Sequence, residues 1–153
     1  MKRPAPMLLA ALLALPLLAD DAAPKTYAQK LVTETLAKHH ELIILVMHVT
    51  PPNSSENVII ASNIGRFGKK ADEDDMRVIK TGKNNLEVNE KGDHFEVELP
   101  LLDASGKIIG ALGTVYNYKN GDDKTQLEKV AIRIRDEIRK QIPIKDKLFE
   151  TAQ

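Results

Sequence analysis

Residues 94–102, HFEVELPLL, alternate without a break. Phe95, Val97, Leu99 and Leu101 fall on one side of an extended chain, and His94, Glu96, Glu98 and Pro100 on the other. A two-residue repeat of this kind belongs to a β-strand. One apolar face and one polar face predict an antiparallel strand that packs on a core along one side and meets solvent along the other. The polar turn Asp103-Ala104-Ser105-Gly106 follows at once and predicts a hairpin. The second arm, residues 107–118 (KIIGALGTVYNY), reads differently. Ile108, Gly110, Leu112, Thr114, Tyr116 and Tyr118 share one parity; Ile109, Ala111, Gly113, Val115 and Asn117 share the other. Both sets are mostly apolar, so this strand is expected at the centre of a sheet covered twice.

The remaining elements build around that hairpin. Residues 26–38 carry a helical pattern, with Tyr27, Leu31, Thr35 and Leu36 near one face. Residues 42–49 (LIILVMHV) predict a strand buried on both faces, and 58–62 (VIIAS) a second strand after the loop PPNSSEN. A short helix over 72–80 is signalled by Asp72 as N-cap, by Glu73, Asp74 and Asp75 in its first turn, and by Gly82 as its stop. Residues 85–89 predict a further strand, with a turn at Lys91-Gly92. A last helix over about 122–142 shows Leu127, Val130, Ala131, Ile134 and Ile138 on one stripe, and the chain to Gln153 is expected to pack through Leu148 and Phe149. Strands joined by short connections, with helices laid on them, define an α+β domain over 26–142 followed by a tail over 143–153.

The N-terminus reads as a leader. Lys2 and Arg3 precede an apolar run from Met7 to Ala19, interrupted only by Pro16. It is too short to span a bilayer, which takes about 20 residues, and matches the apolar region of a secretory signal peptide over 1–19. Cleavage is expected after Ala19, with Ala23 as the alternative, leaving a periplasmic or secreted protein. No cysteine is present, which excludes disulfides, zinc–thiolate sites and thiol catalysis. A formal net charge of zero supplies no global field for nucleic acid.

Three stretches resemble the extracytoplasmic Cache family, whose sheet is PAS-like. They are IIASNIGRFGKKADEDD (59–75), FEVELPLLDASGKIIGALGTVY (95–116) and YKNGDDKTQLEKVAIRIRDEI (118–138). The resemblance implies a PAS-like antiparallel five-stranded sheet with flanking helices. It also implies reversible binding of a small molecule outside the cell, with the signal passed to an output module. The chain departs from membrane-anchored members in carrying neither a transmembrane helix after the fold nor an output module, and the amino-acid motif of the family's receptors is absent because there is no tryptophan. The expectation is therefore a non-catalytic, exported ligand-binding domain acting with a separate partner, either a membrane receptor or a second copy of itself. The alternative is an interaction module of the cell envelope that holds no ligand.

The candidate ligand-binding residues are Asn63, Arg66, Tyr116, Tyr118 and His48. Arg66 stands between Gly65 and Gly68, which allow close backbone approach, and its guanidinium could clamp a carboxylate; that would make the ligand anionic. A surface role, or pairing with Asp72 to Asp75, is the alternative. Asn63 could bond a ligand or its own backbone. Tyr116 and Tyr118 could bring hydroxyls to a pocket rim or pack in the core. His48 shares a strand face with Ile44 and Val46, where a core histidine is the plainer reading. Gly110, Ala111 and Gly113 remove bulk for a ligand or for a helix. No metal site is expected: His39-His40 lack carboxylates at helical spacing, and the acidic run 72–75 lacks the spaced calcium loop and is explained by capping. No cofactor motif, nucleophile elbow or phosphate-binding glycine loop occurs, and no catalytic residue is assigned.

Overall fold

The computed structural model describes residues 22–153, so the leader expected over 1–19 lies outside the described residues. The elements are α1 (Tyr27–Lys38), β1 (Leu42–Val49), β2 (Val58–Ser62), α2 (Glu73–Thr81), β3 (Asn85–Val88), β4 (His94–Leu102), β5 (Ile108–Asn117) and α3 (Lys124–Arg139), followed by a 3₁₀ turn over Lys145–Phe149. The strands form a single sheet in the order β2-β1-β5-β4-β3, with every pair antiparallel. The strand read as central from its two apolar parities, β5, is the middle one. No described helix is long and apolar enough to cross a membrane.

One face of the sheet carries the core. Leu45, Met47, Val49, Phe95, Val97, Leu99, Leu101, Leu112 and Tyr116 pack against Leu31 and Val32 of α1, Ala131, Ile134 and Ile138 of α3, and Leu148 of the 3₁₀ turn. A fully buried side chain of this kind contributes about 1.5–3 kcal/mol, so this layer supplies most of the stability. The chain ends are tied to it: Thr26 bridges Thr151, and the Tyr27 amide donates to the Glu150 carbonyl at 2.8 Å.

The other face is covered by α2 and by the loop that leads to it. Asp72 caps α2 as its position suggests. Its Oδ1 accepts from the amides of Asp74 and Asp75 at 3.0 and 3.1 Å, while the Asp75 carboxylate accepts from the Asp72 amide at 2.9 Å. Gly82, in the left-handed conformation at φ 69°, ends the helix. The loop before it folds back along the free edge of β2: the Gly68 amide donates to the Ile59 carbonyl and the Ile59 amide to the Lys69 carbonyl, both at 2.9 Å. This cover corrects one expectation. The second face of β4 is not open to solvent; Glu98 and Pro100 are buried beneath α2 and Glu96 is half-buried.

Candidate functional site

Between the sheet, α2 and the 63–72 loop lies a cavity of about 230 Å³. It is below the roughly 300–1,000 Å³ of drug-sized sites and suits a small metabolite. The strand register explains why it exists. Val46, Gly113 and Glu98 lie side by side across β1, β5 and β4, with Ile44, Val115 and Glu96 in the adjacent row. Gly113 leaves the centre of that face without a side chain. A Cβ there would meet only Glu96 Oε1 at 3.6 Å and the Val46 Cβ at 3.8 Å, so a longer side chain would grow into the cavity. Ile44, Val46, Ile59, Ile64 and Val115 give the apolar wall, and Arg66, Lys69 and Lys70 stand on the loop side. Several surface depressions are larger, and two of them, of about 420 and 350 Å³, surround Asp103 and His39. The carboxylate and imidazole at their centres are already engaged: Asp103 Oδ1 accepts from Ser105 and Lys107 in its own turn, and His39 sits between Glu41 and Glu137.

The polar groups of the cavity beneath α2 are less settled. Asp75 is 3% exposed. Its Oδ1 approaches His48 Nδ1 to 3.0 Å but not in line, and both buried atoms lack a hydrogen-bond partner. Glu98 Oε2 accepts from Asn85 at 3.3 Å, and Asn85 is held in turn by Arg77 at 3.2 Å. Burial opposes ionisation of Asp75, but the His48 imidazole and the Asp72 amide outweigh it and hold its carboxyl below the usual range. Burial, and then the neighbouring charge of Asp75, push Glu98 up to about 8. Burial and the charges of Glu87, Asp75 and Asp72 also raise Glu96. The enclosed part of the cavity is thus acidic and short of cations.

Of the residues singled out from sequence, the structure brings His48 and Arg66 to this cavity. Arg66 is exposed at its mouth, with a positive φ of 63° that is uncommon for a side-chain-bearing residue. It does not pair with the acidic run, whose Asp74 instead meets Arg77 at 2.7 Å. An anion would find Arg66 and Lys69 only at the entrance. The other three residues lie elsewhere. Asn63 spends its side chain on β1: Oδ1 accepts from the Leu45 amide and Nδ2 donates to the Ile43 carbonyl, both at 3.0 Å. Asn63→Ala is therefore expected to cost about 1–3 kcal/mol in urea denaturation, a structural loss rather than a binding one. Tyr116 and Tyr118 face the α1–α3 layer, not a pocket rim. The Tyr116 hydroxyl is buried without a partner and burial pushes it up to about 12, while Tyr118 packs on Phe95 with ring centroids 5.8 Å apart. Asp75, Glu96 and Glu98 were not anticipated as cavity residues. The available signal was β5: a strand covered on both faces implies that its neighbour β4 is covered too, so its glutamates cannot all be solvated.

No protein-family model matches the sequence, and no curated protein matches it significantly. Solved structures share the fold. The inducer-binding domain of the PobR transcription factor from Acinetobacter, a double mutant in complex with 3-hydroxybenzoic acid, is 12% identical. It aligns over 80% of this chain and 99% of its own with a TM-score of 0.52. The nlh2 GAF domain from A. aeolicus in an inactive state is 11% identical over 77% of this chain and 87% of its own, with a TM-score of 0.54. The repressor BlcR from Agobacterium tumefaciens is 9% identical over 76% of this chain and 67% of its own, with a TM-score of 0.53. The chain has the α+β fold of GAF and PAS-like domains.

Proposed function

We propose that this protein is a non-catalytic sensor domain that binds a small molecule in the cavity between its sheet and α2. The observation that carries this reading is the gap at Gly113: a central strand omits a side chain where the sheet would otherwise be filled, under a helix and a pinned loop. The same fold serves as an inducer-binding domain in the Acinetobacter protein, which supports the reading without identifying the ligand. Occupancy would act by favouring one arrangement of the 63–72 loop and α2 over others. The finer assignment, an exported Cache-type domain in the periplasm or medium, rests on the apolar leader and the three resembling segments. It would signal through a separate membrane receptor or a second copy of itself.

The test is a thermal-shift panel of small carboxylates, hydroxybenzoates, amino acids, purines, pyrimidines and polyamines against the full chain and its Gly113→Leu variant. A ligand of the folded state raises the melting temperature by mass action, by roughly 2.7 kcal/mol of stability at a hundredfold excess over Kd. At least one compound is expected to stabilise the parent and to lose its effect in the filled variant. No hit with a folded protein would favour the ligand-free docking module.

A further inference from the structure

Three carboxylates converge at the α2 end of the cavity. One oxygen each from Asp72, Asp75 and Glu98 lies within 4.8 Å of the others. Asp72 and Asp75 come from one helix start and Glu98 from the middle of β4, so the fold, not a loop motif, assembles them. Capping uses Asp72 Oδ1 and Asp75 Oδ2, and leaves the second oxygen of each. Capping therefore accounts for only two of the cluster's six carboxylate oxygens. A second observation is the buried Asp75 Oδ1, in a side chain 4% exposed: it has no hydrogen-bond partner, and neither has the His48 nitrogen 3.0 Å away. Buried polar atoms are left without a partner only rarely, and a missing ion is one of the accepted reasons.

We propose that Asp72, Asp75 and Glu98 bind a divalent metal ion that favours oxygen donors, at the acidic end of the cavity. Oxygen-only donor sets suit magnesium, calcium and manganese, and His48, beside Asp75, would orient that ligand or complete the set for zinc. A divalent cation would bridge carboxylates that face, from inside the cavity, only the His48 imidazole, 3.0 Å from Asp75. Arg66 and Lys69 stand at the mouth, and Lys70 is engaged with Glu56 at 2.5 Å. The proposal shares the cavity with the small-molecule reading but does not depend on an organic ligand.

The test titrates Mn²⁺, Mg²⁺, Ca²⁺ and Zn²⁺, one at a time, into the EDTA-treated full chain by calorimetry, with Mn²⁺ also followed by its paramagnetic resonance signal. Saturable binding of one ion per chain is expected for at least one metal, weakened tenfold or more in Glu98→Gln. Asp72→Asn is the variant that guards against misfolding, because asparagine caps a helix as well as aspartate. It is expected to keep its circular dichroism and melting temperature and to lose metal affinity. Absence of saturable binding for all four ions, or undiminished affinity in both variants, would overturn the proposal. Neither result bears on the organic-compound panel, which is read through Gly113→Leu.

Discussion

Replacing Glu98 by glutamine should stabilise the metal-free protein at pH 8, against the usual direction for a buried polar substitution. The folded protein holds the Glu98 proton up to about 8, whereas an unperturbed glutamate loses it at 4.5. The folded state therefore binds more protons than the unfolded state between those values, and stability falls as pH rises through them. Above pH 8 the penalty is fully present, and below about 4.5 it is gone. Each unit of such a difference is worth about 1.4 kcal/mol, so the penalty amounts to a few kcal/mol. Glutamine keeps an acceptor for Asn85 and carries no charge. The expected result is a rise in melting temperature on the order of 5 °C or more at pH 8 in EDTA, shrinking to nothing near pH 4.5. Asp75 runs the other way: its depressed carboxyl contributes stability above its ordinary 3.8 that is lost as pH falls below it. Thermal melts from pH 3 to 9 check both. A parent whose stability rises steadily from pH 5 to 8 would contradict the arrangement of these carboxylates.

Gly110→Ala should be severely destabilising. A Cβ at Gly110 would lie 2.1 Å from the His48 carbonyl oxygen and 2.9 Å from the Val49 Cγ2. The nearest atom is backbone on the paired strand β1, so relief requires β1 and β5 to separate at the centre of the sheet. Overpacking of a well-filled site costs typically about 1–3 kcal/mol, and a clash with backbone belongs at or beyond the top of that range. Gly113→Ala, three residues along the same strand and on its other face, meets only ordinary contacts and should change stability by less than about 1 kcal/mol. Urea denaturation of the two variants side by side checks the register of β1 on β5. Similar losses in both would mean that the register is wrong.

Most of the architecture could be read from the sequence because it rests on short-range signals. The alternation in 94–102 and the double apolar parity of 107–118 placed β4 and β5, and Asp72 and Gly82 delimit α2 by capping. The site was harder to read because it depends on what covers a face. Glu96 and Glu98 have the pattern of solvated strand residues, and nothing local to them signals that α2 lies above. Asn63 and the two tyrosines drew attention through their side-chain chemistry, but the backbone of β1 and the α1–α3 core claim them first. Gly113 and Gly110 look alike in sequence. One opens the cavity and the other permits close strand approach, a distinction set only by which face each presents.

The most direct test of the central claim is an amide NMR titration of the ¹⁵N-labelled full chain with the compounds of the small-molecule panel. The account predicts saturable shifts centred on Ile44, Gly113, Val115 and the 63–72 loop, with the α3 amides of Ala131 and Ile134 undisturbed. Shifts confined to α1 and α3, or none at all from a folded protein, would contradict a ligand site between the sheet and α2.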